Sequence, residues 1–527
     1  MSDAPAISLV VAAGTARGDR AAFEAALARC SPVAGGHELI VEPTRRGDAG
    51  KAWNRGAAHA RGALLLFLRD DARPGPDCLT AHAVPHREGP GTLVVGRLVP
   101  EREGGLARYL ARPGADALDR VDPRPRAPRL LECCGHTLSM TRQRFDETRG
   151  FAEDLEWGWE AELAHRVRSA GTAPLFIPTP VGARVLPDGT REAADEMARA
   201  GRASVALYQH CPPLLAELEL GGFSAAGNWP LVARRALLSL GAPVSLPAAF
   251  CALFRGESLE RYQRFLASYF YWRGVWQAAN PELRRRLAYG PVVLMYHAVG
   301  DDGQPAGRYI VPRAAFARQL AWLWLAGYRV IGADQLVTRR INFRLPPARS
   351  VAITFDDGYA DNHRLAVPEL RRRHFPATFY VVTTRLGASN NWDAEGELAG
   401  RPLMTSAQVI DLERYGMEIG AHTRRHPALA GLAATILADE VGGSRADLEE
   451  VLCRPVRTFA YPYGSVDGPG REAVERAGFG GAYCSRSGIN DPIAPGYDLR
   501  RIEVRGTDSL LDFALALWRG RRRTPRG

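Results

Sequence analysis

The chain has 527 residues, 46% apolar and 24% charged, which suits roughly two to four folded domains and excludes both one small module and a disordered polymer. The net charge of +10 is carried almost wholly by arginine, with Lys51 the only lysine. Apart from the tail (Arg519, Arg521, Arg522, Arg523, Arg526) it forms no basic run, so nucleic acid is not an expected partner. The eight cysteines form no CxxC pair, which argues against a zinc ribbon or a disulfide framework and fits a reducing, cytoplasmic compartment.

Over residues 1–215, Ile7–Ala13, Glu38–Glu42 and Leu64–Leu68 read as strands, with helices at Ala21–Arg29 and Lys51–Arg61 between them. That rhythm predicts βαβ units and a largely parallel, Rossmann-like sheet. No basic segment precedes the apolar start, which reads as a first strand and not as a signal peptide. Residues 216–288 lose the strand rhythm and read as a helical connector. Within it Ala236–Phe254 is apolar, but Gly241, Pro243 and Pro247 interrupt it. It reads as a buried or interfacial helical hairpin, with peripheral membrane contact, and not as a spanning helix. From Pro291 the rhythm returns, with strands at Pro291–His297, Val351–Asp356, Ala377–Val382, Met417–Ala421, Arg457–Ala460, Ala482–Cys484 and Arg500–Val504. This predicts a barrel-like α/β domain over 289–520, followed by a basic tail at 521–527.

The clearer chemistry lies in that second domain. The strand ending at Phe355 runs into Asp356-Asp357-Gly358, and two carboxylates at a buried strand end are costly without a shared cation or proton. Asp-Asp-Gly alone also suits a common turn. Further on, Met417–Ala421 ends in His422-Thr423-Arg424-Arg425-His426-Pro427. Histidines at i and i+4 share one face of a helical turn, and with one carboxylate they leave a metal open positions for water and substrate. A third element, Phe459-Ala460-Tyr461-Pro462-Tyr463-Gly464, is a rigid turn able to aim a backbone N–H into a cleft.

In this order the three motifs resemble the polysaccharide deacetylases of the NodB-homology group, carbohydrate esterase family 4, over residues 291–518. The resemblance implies a distorted (β/α) barrel and metal-dependent hydrolysis of an N-acetyl group on an amino sugar or polysaccharide. It makes Asp356 the catalytic base and Asp357, His422 and His426 the ligands of a divalent metal, most often zinc. The backbone N–H of Tyr463 would help hold the oxyanion. Two family features are missing: an arginine where Ala460 stands, and a late histidine that acts as general acid, since no histidine follows Gly464. His297, at the end of the strand Val292–Tyr296, is the candidate acid, with a packed strand-end histidine as the other reading. Arg501 is a candidate replacement for the missing arginine beside Asp356.

Residues 1–215 resemble family 2 glycosyltransferases of the GT-A fold. The similarity rests on the opening strand, Glu38–Val41, Ala52–Ala57, Leu66–Asp71, Gly150-Phe151 and Trp157–Leu163. It implies a nucleotide sugar held with Mg²⁺ or Mn²⁺ by Asp70 and Asp71, and Glu160 as base. Several expected acids are replaced: Glu42-Pro43 and Arg69 stand where aspartates are usual. An active transferase and a degenerate scaffold both remain open. The whole chain then reads as a deacetylase fused to a glycosyltransferase-like domain. The alternatives are a transferase with a weak deacetylase, or a carbohydrate-binding scaffold in polysaccharide assembly.

Overall fold

The structure is a computed structural model. It describes residues 6–14, 18–45, 48–89, 91–101, 126–186, 190–225, 228–241, 253–301, 303–393 and 395–520. The basic tail at 521–527 and the middle of Ala236–Phe254 therefore lie outside the described residues. The chain divides into two compact units, 1–220 with 232–280 and 221–231 with 281–527. The helical stretch expected between the domains is shared between them.

The N-terminal unit holds a seven-stranded sheet among its described residues: β1 (Ile7–Ala13), β2 (His37–Pro43), β3 (Leu64–Arg69), β4 (Ala72–Pro74), β5 (Val94–Pro100), β6 (Thr137–Thr141) and β7 (Leu175–Arg184). Their order is β2-β1-β3-β6-β5-β7-β4. β1 lies between β2 and β3, parallel to both, and reads as a near-continuous apolar run because both its faces are buried. Beyond β3 the expectation of a largely parallel sheet fails. β6 runs antiparallel to β3 and β5, and β4 antiparallel to β7. β4 follows β3 after only Asp70 and Asp71, yet it pairs with β7 at the far end of the strand order and not with β3. In the same unit the helix Gly256–Ala278 packs along Thr190–His210, burying Leu266, Tyr269 and Phe270. No described helix is long and apolar enough to cross a membrane.

The main sheet of the C-terminal unit is wholly parallel among its described residues. It contains β8 (Val292–Tyr296), β11 (Arg329–Ile331), β12 (Ser350–Phe355), β13 (Thr378–Val381), β14 (Glu418–Ala421), β15 (Thr458–Ala460), β16 (Gly481–Tyr483) and β17 (Ile502–Glu503). A parallel pair, β9 (Ala298–Gly300) and β10 (Ile310–Pro312), stands apart. The seven expected strands are all present. The eighth, β11, is a three-residue strand too short to show an apolar pattern. It shares one edge of β12 with β13, pairing with Ser350–Ala352 while β13 takes Thr354 and Phe355. The order β16-β15-β14-β13-β12-β8-β17 curls into a half-barrel. Leu499 closes back on β16, its N–H donating to Ala482 O at 2.9 Å and its carbonyl accepting from Cys484 N at 2.8 Å.

Strand alternation separates two cores. Leu294, Ile353, Phe355 and Phe379 belong to the large core, which includes residues of the surrounding helices such as Phe316 and Leu412. Val293, Ala352, Tyr380, Ala460 and Tyr483 form a smaller cluster on the opposite face. Asp356 continues the parity of Ala352 and Thr354, toward that second face. His297, Asp356, His422 and Tyr461 all directly follow the C-terminal ends of parallel strands, where α/β barrels carry their chemistry.

Candidate active site

Asp357, Gly358, Thr423, His426, Tyr463 and Gly464 all have positive φ, between 57° and 79°. Left-handed backbone in non-glycine residues is costly and persists where surrounding contacts over-determine it. At Gly464 a side chain is excluded outright, because a Cβ there would lie 1.9 Å from Ser485 Oγ. The HTxxHP segment is therefore not the helical turn expected from its spacing. It is an irregular loop closed by Thr423, whose hydroxyl accepts from His426 N at 2.9 Å and donates to His422 O at 2.5 Å. The intervening arginines anchor it: the Arg424 and Arg425 N–H groups donate to Glu440, and their guanidinium groups pair with Asp439.

That loop brings both histidines onto one carboxylate oxygen. Asp357 Oδ1 lies 3.3 Å from His422 Nε2 and 3.1 Å from His426 Nε2. One ligand atom from each of the three residues falls within 4.8 Å of the others, and all three residues are buried. His422 Nδ1 lies 2.7 Å from Ala460 O, a carbonyl that only accepts, so Nδ1 carries a proton and, in the neutral ring, Nε2 turns its lone pair toward Asp357. A neutral ring in that orientation is set to ligate a cation together with the carboxylate. Two imidazoles, one carboxylate and a fixed tautomer fit a divalent first-row ion, zinc among them. This is the only such group of three among the described residues.

Asp356 is held differently. Arg501, fully buried, donates from Nη1 to Asp356 Oδ1 at 2.6 Å and from Nη2 to Oδ2 at 2.7 Å. Burial pushes this carboxyl up, but the Arg501 charge and then His422 outweigh it and hold Asp356 below the usual carboxylate range. Arg501 thus stands where the sequence suggested it, beside Asp356. His297 follows β8 with its ring 4.7 Å from Tyr309, and its charge favours the ionised forms of both Asp356 and Asp357. Its Nδ1 is buried with no hydrogen-bond partner. Tyr463 is 57% exposed, its ring 4.7 Å from His426.

Sequence reasoning passed over Asn390, Trp392 and Asp393. The Trp392 ring stacks on His426 at 4.5 Å and 28°. An Asn-Asn-Trp-Asp turn with a tryptophan outside any strand or helix was the available signal.

In the N-terminal unit Asp70 and Asp71 follow β3, and both are buried. Asp70 Oδ2 accepts from Gly14 N at 2.6 Å. Asp71 Oδ2 is bonded by Arg69 at 2.8 Å and by Arg184 at 3.2 Å. Glu160, in the first turn of the helix Trp159–Ser169, accepts from Gly135 N at 3.2 Å. Burial raises its carboxyl, against the pull of the backbone N–H groups and of Arg69 and Arg184. Both guanidinium groups bear on the one oxygen Asp71 Oδ2, so the chain itself meets part of this carboxylate's charge. Several residues behind the transferase resemblance are core residues here. Trp53 packs its ring against Phe67, Phe151 and Trp159, and Asn54 exchanges two 2.9 Å hydrogen bonds with the Phe151 backbone.

The family model for polysaccharide deacetylase matches residues 344–482, inside the C-terminal unit. The Bacillus subtilis protein YxkH is 24% identical over 212 residues, 40% of this chain and 70% of that one. A poly-β-1,6-N-acetyl-D-glucosamine N-deacetylase of Staphylococcus epidermidis is 23% identical over 205 residues, 37% of this chain and 68% of its own. Among solved structures, IcaB from Ammonifex degensii aligns with a TM-score of 0.39 at 26% identity, covering 44% of this chain and 97% of that one. Residues 344–482 of the C-terminal unit thus form a polysaccharide deacetylase domain.

Proposed function

We propose that the C-terminal unit removes N-acetyl groups from an N-acetylated amino-sugar polymer, and that Asp357, His422 and His426 hold a divalent ion, zinc by preference. The observation that carries this reading is the convergence of those three ligands beside a second carboxylate clamped by a buried arginine. When bound, the ion supplies Lewis acidity toward the acetyl oxygen and toward water. Asp356, kept ionised by Arg501, takes the proton from the attacking water. The Tyr463 backbone N–H is the candidate donor to the developing oxyanion. His297, lying close enough to influence both aspartates, is the candidate that returns a proton to the departing amine.

The test is release of free amine from chitooligosaccharides and from β-1,6-linked N-acetylglucosamine oligomers, with the chain stripped of ions and then given Zn²⁺. Release from either, lost in Asp356→Asn and in His422→Ala, supports the reading. No release from any N-acetylated oligomer with the ion bound overturns it. His297→Ala with an unchanged rate removes that residue as the acid. For the N-terminal unit the two guanidinium groups on Asp71 Oδ2 favour a scaffold over a transferase that needs a divalent ion. Nucleotide-sugar turnover that responds to Mn²⁺ overturns that assignment.

A further inference from the structure

His422 and His426 are oriented by different means. The His422 ring is fixed by its bond to Ala460 O, whereas His426 Nδ1 is buried with no partner. An imidazole bonded at neither side of its ligating nitrogen is free to rotate unless packing prevents it. Around His426 that packing is the flat Trp392 ring, with the edge-on ring of the half-exposed Tyr463.

Trp392 is held in turn by Asn390, which is 2% exposed and uses all four of its hydrogen-bonding positions. Its Oδ1 accepts from Trp392 N at 3.1 Å and from Asp393 N at 3.2 Å. Its Nδ2 donates to Asp393 Oδ2 at 3.1 Å and to the Tyr359 hydroxyl at 2.9 Å. Tyr359 is fully buried and lies two residues after Asp357. One buried asparagine thus links the ring on His426 to the Tyr359 hydroxyl, next to the strand end that carries Asp357. The same stretch is braced from below by Glu397, which accepts from Tyr309 N at 3.2 Å and Ile310 N at 3.1 Å, and by an apolar cluster of Ala298, Ile310, Tyr359, Leu398 and Leu403.

We propose that Trp392 and Asn390 are positioning residues for the ligand triad. Trp392 holds the His426 ring, and Asn390 ties the Trp392 turn to Tyr359, two residues after Asp357, so that the three ligands face one point before an ion arrives. The inference rests on the reading of that triad as a metal site.

The experiment measures Zn²⁺ affinity of the stripped full chain by competition with a chromophoric chelator, with circular dichroism to confirm folding. Outer-shell partners of metal ligands typically carry about 10–100-fold in affinity. Trp392→Ala and Asn390→Ala should each lose that much, and Tyr359→Phe about tenfold. Trp392→Phe, which keeps a flat ring on His426, should restore most of the Trp392→Ala loss, a rescue that mere cavity filling by leucine in Trp392→Leu should not reproduce. If Asn390→Ala does not fold, Tyr359→Phe reads the same arm with one hydroxyl removed. Wild-type affinity in Trp392→Ala and Tyr359→Phe overturns the positioning role and leaves the metal site standing. A wild-type chain that binds no Zn²⁺ overturns the metal site, and this inference with it.

Discussion

The chain places Asp-Asp pairs at the ends of the buried strands β3 and β12, and these two pairs are compensated in opposite ways. After β12 the labour is divided. Asp356 takes the buried guanidinium of Arg501, and Asp357 is left facing two imidazoles, one with its lone pair fixed toward the carboxylate. After β3 the second aspartate receives Arg69 and Arg184 together. A buried carboxylate must meet positive charge from somewhere. When the protein supplies that charge covalently there is no work left for a soluble cation, and when it supplies neutral donors the site still needs one. An Asp-Asp pair therefore announces a cation but not its source. The source is decided by residues far along the chain: Arg184, 113 positions from Asp71, in one case, and His422 and His426, beyond two further strands, in the other.

The largest effect should come from removing the one carboxylate that lacks a built-in cation. Asp357→Asn is expected to abolish Zn²⁺ binding and to lower amine release by on the order of 10³-fold or more, beyond the 10–100-fold typical of outer-shell changes. Retained binding breaks the contrast at its root.

Next is Arg501. Arg501→Met leaves Asp356 buried without its counter-charge, which typically costs about 3–5 kcal/mol, read as a fall in the urea midpoint. Adding Asp356→Asn should recover much of that loss, since removing both charges of a buried pair is milder than stranding one. A double variant no more stable than Arg501→Met shows that Arg501 matters for packing rather than for charge.

The N-terminal pair predicts a null effect on metal and a moderate effect on stability. The stripped chain should take up Zn²⁺ with the same affinity in Asp71→Asn as in wild type, while unfolding shows a loss of about 1–3 kcal/mol as Arg184 loses its partner. Ion binding that weakens in Asp71→Asn sinks the contrast from the other side.

What was legible in the sequence follows the same division. Asp356, Asp357, His422, His426 and Tyr463 lie in short local patterns, so their chemistry could be read one motif at a time. Their geometry could not. The i, i+4 spacing suggested a helical turn, yet Thr423 and His426 are left-handed and the loop is closed by a hydroxyl. Arg501 was one arginine among many, and only the closure of the half-barrel brings it to Asp356, 145 positions away in sequence. Asn390 and Trp392 act through hydrogen bonds and ring contacts that leave no periodic trace. In the N-terminal unit the βαβ reading held as far as β3, beyond which the antiparallel β6 makes the sheet mixed.

Glu38 offers the smallest and most local version of the contrast, a carboxylate at a sheet edge held mainly by hydrogen bonds. Burial is the largest single influence and raises it, but the Ser8 hydroxyl, the Arg61 N–H and the Arg61 guanidinium together pull it down to about 2. Its ordinary value is near 4.3, so its folded pKa is depressed. The stability it contributes is then fully present above about pH 4.5 and is lost as pH falls through that value toward 2. Glu38→Gln should flatten this part of the acid-unfolding profile of the N-terminal unit. Ser8→Ala should bring the folded carboxyl closer to its unfolded value, so the loss shrinks and its lower end moves to higher pH; measured at pH 7, the same variant should be less stable than wild type. A Glu38→Gln profile that keeps the wild-type slope between pH 4.5 and 2 assigns the titration to other carboxylates and removes hydrogen bonding at Glu38 as a source of stability.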